Sequence, residues 1–419
     1  MNLLLVAYFY PPCRDTGAAR PAAMARHLER LGHRVTVLTT RAHGELPEDR
    51  ERRVVRTPDL QLARARLRGA RTIASLYDSD SYSGRPHPLS RALVPDALVA
   101  AWAPFARARA LRLAAAQPFD CILTSSPPES AHLVGRALQR RRRVPWVAEL
   151  RDGWTFESLR PSFPTAAQRK LDSRLERGWL RSADAVVCVS EPVADDLRRR
   201  GVAEPAVIPN GWDPEQAAAA ATRSGVDLDP GRTSLVYTGR FGRGRDPAAL
   251  VDALSSLAAD DPDVAGGLEL VVAGPLTGAE RELFARDVAP AQVVLTGTLP
   301  RERALALQHE ADALLLIAQP IRSQLLNYKL FEYLAAGRPI LALAAGTEAG
   351  RVAGEVGAPV VGADDSDAIE GGLRRLVDEG LASPDQQAAG RYAYPAPAKQ
   401  LAALIERLTH RASGFPPHV

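Results

Sequence analysis

The stretch that most constrains this chain is SQLLNYKLFEYLAAGRPILAL, Ser323 to Leu343. Leu326, Leu330, Phe331 and Leu334 recur at helical spacing, Asn327 can cap the start, Gly337 stands where a left-handed C-cap belongs, and Pro339 stops the helix continuing. The spacing predicts a helix from about Tyr328 to Ala336. The apolar run that follows, Pro339 to Leu343, suits a strand buried on both faces, so the pair is one αβ step of a parallel sheet. Such a helix brings unpaired N–H groups and the positive end of its dipole to the sheet edge, where a phosphate binds readily. Glu332 lies one turn in, where a core-facing carboxylate is costly without a partner, and a ligand hydroxyl can be that partner.

The rest of the chain repeats this alternation. Leu3 to Phe9 is a strand, YPPCRDTGAAR a loop, Pro21 to Leu31 a helix, and His33 to Thr40 the next strand. Gly17 lets backbone approach a ligand closely in that loop, but the three-glycine fingerprint is missing and a dinucleotide is not favoured. His132, near the carboxyl end of the strand in FDCILTSS, is the candidate side-chain base of this half. Glu149, Arg151 and Asp152 follow the strand that begins at Val144. Strand carboxyl ends face the ligand crevice of open α/β sheets, so these residues, with Arg20 and Trp154, are expected to contact an acceptor; an internal Arg–Asp pair is the competing possibility. In the second half SLVYTGRFGRGRD places Arg240 and Arg245 on a loop punctuated by Gly239 and Gly244, where two permanently charged guanidinium groups can address a diphosphate.

Residues 323–343 resemble the signature of retaining glycosyltransferases of the GT-B fold, family 4 in particular, and especially the bacterial polysaccharide-biosynthesis members. In that family two glutamates eight positions apart bracket the start of the donor helix. Glu332 matches the second, which holds the nucleotide ribose; the first, which meets the transferred sugar, is Gln324 here and keeps hydrogen bonding without the charge. The resemblance further implies that the amides near Leu325, Leu326 and Asn327 meet the diphosphate. It assigns Arg240 to the leaving diphosphate, with Arg245 in place of the family's lysine. Thr298 and Leu299 fall where the family's backbone faces the nucleobase, and Gly17-Ala18 where it carries two adjacent glycines. Arg151, Asp152 and Trp154 resemble the Arg-Asp-x-Trp segment of polysaccharide-type members.

The expected architecture is therefore α/β: two Rossmann-like domains with parallel sheets facing across a cleft and a C-terminal helix returning to the first domain. The expected bounds are 1–208 for the acceptor-side domain, 209–232 for a linker, 233–395 for the nucleotide-sugar domain, 396–412 for the returning helix and 413–419 for a tail. The implied activity is metal-independent retaining transfer of a sugar from a nucleotide-diphosphate sugar, with UDP-sugars favoured. Its acceptor is lipid-linked or a small molecule, in polysaccharide or glycolipid synthesis. A natural-product glycosyltransferase, a UDP-sugar epimerase of the same fold and a non-catalytic sugar-nucleotide-binding protein are the alternatives.

Charge separates the halves. Residues 1–200 hold 34 Lys and Arg against 21 Asp and Glu, net +13; residues 201–419 hold 19 against 28, net −9. The basic half is suited to an anionic acceptor or an anionic membrane surface, or is a solvated face of an arginine-rich chain. Nucleic acid is not expected, because only 5% of residues are aromatic and no stacking or zinc motif accompanies the arginines. Cys13, Cys121 and Cys188 have no metal-ligand spacing, no metal is expected, and the compartment reads as reduced and cytoplasmic, peripheral on the inner membrane face if the basic half docks there. Residues 57–116 are Arg- and Ala-rich with helical periodicity, either an acceptor or membrane contact or outer helices.

Overall fold

Every described strand of the chain pairs in parallel with its neighbours. The structure, a computed structural model, describes residues 1–13, 16–67, 92–156, 162–218, 223–242, 245–320 and 328–413. The chain divides into two units, Met1–Pro209 with Pro397–Val419, and Asn210–Ala396. Both are parallel-sheet, Rossmann-like α/β units of the kind that compose the GT-B fold.

The first unit is built on β1 (Asn2–Ala7), β2 (Arg34–Thr40), β3 (Val54–Thr57), β4 (Cys121–Ser126), β5 (Trp146–Leu150), β6 (Ala185–Cys188) and β7 (Ala206–Val207). Their order is β3-β2-β1-β4-β5-β6-β7, so the winding reverses between β1 and β4. The near-continuous apolar runs of β1, β4 and β5 follow from burial on both faces, since helices cover each side of a parallel sheet. The helix Ala396–Ser413 belongs to this unit. Leu401 and Ile405 bury its apolar stripe, and Thr409 Oγ1 lies 3.5 Å from Met1 Sδ. Within the arginine-rich stretch, Trp102 is fully buried and donates to Thr57 Oγ1 at 2.9 Å, and Ala106 and Ala110 of helix Ala103–Ala116 are fully buried. That part is a covering layer of the sheet; residues 68–91 of the same stretch lie outside the described residues.

The second unit carries β8 (Thr233–Thr238), β9 (Leu268–Ala273), β10 (Gln292–Leu295), β11 (Ala313–Ile317), β12 (Ile340–Leu343) and β13 (Val360–Val361), in the order β10-β9-β8-β11-β12-β13. Its reversal lies between β8 and β11. The αβ step expected from the sequence is present as helix Tyr328–Ala336 followed by β12, with Gly337 at φ +67° ending the helix. Residues 223–232 run along this unit: Ser224 is fully buried and its amide donates to Glu310 at 2.9 Å, and the Asp229 amide donates to Glu269 at 3.1 Å.

One layer of the first unit corrects two sequence expectations. His132 and Trp154, expected at an acceptor surface, are 0% and 1% exposed and stack on each other with ring centroids 5.9 Å apart. Trp154 donates to Asp172 at 2.9 Å, and His132 Nδ1 lies 2.8 Å from the Thr124 hydroxyl, which also accepts from Trp146 Nε1 at 2.7 Å. Burial pushes the His132 imidazole down to about 3, so it is a neutral core group and not a base facing substrate. Beside it, helix His132–Arg142 passes so close to Trp146 that only Gly135 fits: an added Cβ would stand 2.2 Å from the indole nitrogen.

Two outcomes follow from this layer. Gly135→Ala overpacks the Trp146 contact and lowers stability by about 1–3 kcal/mol, read as a fall in the denaturant midpoint at unchanged m. Unfolded chains protonate His132 near its ordinary 6.5 whereas the folded protein does not until about 3. Stability is therefore lost as pH falls through that window, at up to about 1.4 kcal/mol per pH unit from this residue. His132→Gln, which does not titrate, shows a shallower loss over the same range in parallel denaturation series.

Candidate functional site

In an open parallel sheet, the loops at the carboxyl ends of the two strands flanking the reversal diverge and leave a crevice. In the second unit these are the loop after β8 and the segment between β11 and helix Tyr328–Ala336. The β8 loop turns at Gly239, whose φ of +108° favours glycine and whose amide donates to Ala273 at 2.6 Å. The backbones are in contact here: a Cβ on Gly274 would stand 2.0 Å from the Gly239 carbonyl oxygen. Arg240 follows with its side chain exposed, while its carbonyl accepts from the Tyr237 hydroxyl at 2.9 Å. Phe241 is buried and stacks on Tyr237 with ring centroids 4.2 Å apart. This alternation fixes the loop by its backbone and its aromatic residue and leaves the Arg240 guanidinium free among the described residues. Arg245 is half-buried, with Nε 3.4 Å from the Gly242 carbonyl.

Across the reversal, helix Tyr328–Ala336 is held to the end of β8 by a buried polar link. The Tyr333 hydroxyl accepts from the Thr238 amide at 3.2 Å, and Gln308 Nε2 donates to Thr238 Oγ1 at 2.9 Å. Leu330, Phe331 and Leu334 bury the apolar stripe that the sequence spacing predicts. Glu332 keeps 18% exposure and pairs with Arg301 at 2.9 Å. Arg301 begins the helix Arg301–Glu310, directly after the loop holding exposed Thr298 and half-buried Leu299. Sequence reasoning missed this partner of Glu332, because the two residues are remote along the chain and only the fold brings them together.

A second residue escaped the sequence analysis. Lys329, on the turn before Glu332, extends to Gly239: a Cβ there would lie 3.2 Å from the lysine Nζ. The amine sits 3.5 Å from the centroid of the Tyr237 ring. Burial first, and Arg245 second, hold its proton affinity well below the ordinary lysine value, against the pull of Glu332. The signal available in the sequence was composition: the chain has three lysines against 50 arginines, and one of them stands three positions before the glutamate of the signature. The fold thus brings Gly239, Arg245, Lys329 and Glu332 together and sets Arg240 on the same loop. Gln324, Leu325, Leu326 and Asn327 lie outside the described residues.

In the first unit, polar residues expected to meet an acceptor are largely engaged internally. Arg20 is 3% exposed and donates to Glu149 at 3.0 Å, to the Pro209 carbonyl at 2.6 Å and to the Ile208 carbonyl at 2.9 Å. It is a buried clamp between the start of helix Ala19–Arg30, the end of β5 and the end of β7's loop. Arg151 donates to the carbonyls of Ser126 at 3.1 Å, Pro127 at 2.6 Å and Gly17. Its guanidinium therefore ties together the loops after β1, β4 and β5, with Gly17 as one of its acceptors. Asp152 is half-buried beside it. Among the described residues no cluster of three or more His, Cys, Asp or Glu is placed to hold a metal ion, and no helix is long and apolar enough to cross a membrane.

Residues 21–216 match the family model described as Glycosyltransferase Family 4, and residues 232–379 match the model described as Glycosyl transferases group 1. No curated protein matches by sequence. The sucrose-phosphate synthase of Thermosynechococcus elongatus aligns over 98% of this chain and 100% of its own, with 16% identity and a TM-score of 0.66. HepE of Anabaena, solved in complex with UDP, aligns over 97% and 99%, with 14% identity and a TM-score of 0.61. The UDP-GlcNAc 2-epimerase of Neisseria meningitidis, solved with UDP-GlcNAc, aligns over 97% and 100%, with 14% identity and a TM-score of 0.53. At these identities the likeness is one of fold. Taken with the family models, it makes the chain a glycosyltransferase-like protein of the GT-B fold, related to Glycosyltransferase Family 4.

Proposed function

We propose that this protein is a retaining glycosyltransferase that moves a sugar from a nucleotide-diphosphate sugar, by preference a UDP-sugar, to an acceptor hydroxyl in the synthesis of a cell-surface polysaccharide or glycolipid. The observation that carries the proposal is the convergence of Arg245 with Lys329 and Glu332 at the strand reversal of the second unit, where cationic groups and a hydroxyl-binding carboxylate share one edge. UDP in HepE and UDP-GlcNAc in the Neisseria epimerase favour a uridine donor.

In this mechanism Arg240 and Arg245 hold the donor diphosphate, Glu332 takes the ribose hydroxyls, and the amides near Leu325, Leu326 and Asn327 face the phosphates. Thr298 and Leu299 border the base, and Gln324 takes the sugar. Gly17 remains a donor-binding residue, and Asp152 and the loops that Arg151 joins remain on the acceptor side. Charge develops on the departing diphosphate as its bond to the anomeric carbon breaks. Guanidinium groups already in place stabilise that charge without reorganisation, and no metal is called for. The acceptor oxygen bonds to the same carbon from the leaving-group face, and its proton passes to a donor phosphate oxygen. No protein base is needed, in keeping with His132 being a core residue. The ribose displaces or shares Arg301 at Glu332, exchanging one charge-assisted contact for another. The net +13 of residues 1–200 supports an anionic lipid-diphosphate acceptor at an anionic membrane surface.

The deciding experiment incubates the protein with UDP-, GDP- and dTDP-sugars, with and without lipid-diphosphate acceptors, and identifies products by mass spectrometry. Transfer, or release of nucleoside diphosphate, is expected from at least one donor. An isomerised donor formed without acceptor would make the protein an epimerase, the reading that the Neisseria likeness favours. Binding without turnover would make it a non-catalytic sugar-nucleotide-binding protein, the reading favoured by Gln324 in place of glutamate. Arg240→Ala is expected to lower kcat by about 100- to 1,000-fold at unchanged circular dichroism. Glu332→Gln should weaken nucleoside diphosphate binding by about tenfold in calorimetry, the cost of one hydrogen bond to a charged group.

A further inference from the structure

Lys329 is kept where a plain structural role does not explain it. The residue is half-buried, but its Nζ is closed to solvent and, among the described residues, has no hydrogen-bond partner. The Tyr237 ring face 3.5 Å away accepts no directed hydrogen bond of ordinary strength, so the amine's donors go unmet. A methionine would fill the same channel over the ring with no polar cost. Arginine, the basic residue this chain uses 50 times, would bring a wider and permanently charged head against Gly239.

The surroundings say what the amine faces. Arg245 comes from the loop after β8, Tyr237 from β8 itself, and Glu332 from the lysine's own helix. Two basic side chains from different elements thus approach one another at the β8–β11 reversal, and Arg245 disfavours charge on Lys329. Glu332 is already paired with Arg301 and relieves this only in part. An anion between the two would accept the unmet donors and turn their mutual repulsion into shared attraction. Gly239 makes room for the lysine head, since any Cβ there would press on its Cε and Nζ at 3.3 and 3.2 Å.

We propose that Lys329 is a phosphate-binding residue of the donor site, reaching across the crevice floor to the diphosphate at Gly239 together with Arg245. The proposal rests on the nucleotide-diphosphate function above and deepens it, by adding a cation from the helix side to those of the β8 loop. No covalent bond changes. The lysine and the arginine grip the phosphates from two elements, so the diphosphate also joins the β8 loop to the helix.

The test compares wild type and Lys329→Met for binding of UDP, GDP, dTDP, the matching nucleosides and inorganic pyrophosphate by calorimetry. For the diphosphate that wild type binds, Lys329→Met should lose about tenfold or more in affinity while nucleoside binding holds, as expected for one charge-assisted contact to phosphate. An unchanged ratio of diphosphate to nucleoside affinity overturns the role of Lys329 and leaves the donor assignment standing. Failure of wild type to bind any of these diphosphates or pyrophosphate overturns both. A measurement on unaltered protein guards against a variant that does not fold. With only three lysines in the chain, lysine-selective 13Cε NMR resolves the buried amine's neighbour, and its resonance should move with the bound diphosphate and not with the nucleoside. A buried lysine signal that stays in place while diphosphate binds equally overturns the proposal.

Discussion

A strand can join its neighbour in parallel only if the chain crosses back over the sheet, as helix Ala19–Arg30 does between β1 and β2 and helix Tyr328–Ala336 between β11 and β12. The carboxyl ends of all strands in a unit therefore collect along one edge, and the amino ends of the following helices collect with them. The rest depends on that constraint. The winding reverses between β1 and β4 and again between β8 and β11, and there two loops part. Arg151 spans the first of these places and the Arg245–Lys329 pair stands at the second.

The two edges use their cations differently. In the first unit arginine planarity is spent on backbone carbonyls: Arg20 and Arg151 each gather several acceptors from segments far apart in sequence, and Glu149 neutralises Arg20 within the core. These guanidinium groups brace loops. In the second unit the Arg240 side chain is exposed and the Lys329 amine has no acceptor among the described residues, so these donors stand uncommitted beside a loop fixed by backbone and aromatic packing. Rigid surroundings with uncommitted donors are what a site needs in order to bind an anion without rearranging.

The contrast also explains what could be learned from sequence. Periodicity gave the helix Tyr328–Ala336, its end at Gly337 and the buried strand beyond, because each is decided by residues within a few positions of one another. The positions of Arg20, His132, Arg151 and Trp154 near strand carboxyl ends were legible for the same reason. Their roles were not. Arg20 meets Glu149 across 129 positions and Arg151 meets Gly17 across 134, so whether each side chain turns inward is settled by partners that local pattern does not contain. His132 was drawn inside by the Trp146–Thr124 hydrogen bond and by Trp154, two aromatic residues whose burial only the packed layer reveals. Lys329 was hidden in the opposite way: it interrupts an apolar helix face as an ordinary surface lysine would, and its meaning comes from Tyr237 and Gly239 on another strand's end.

The second unit is enclosed within the first along the chain, and its two ends are fastened together: Trp212 and Ala393 form a parallel bridge, with Trp212 N donating to Tyr392 O at 3.0 Å and Tyr394 N to Trp212 O at 2.9 Å. During synthesis the ribosome delivers β1 to β7 first, yet the helix Ala396–Ser413 that covers Met1 comes last. The earlier-made unit must wait, incomplete, while the whole of the later one emerges and closes upon itself.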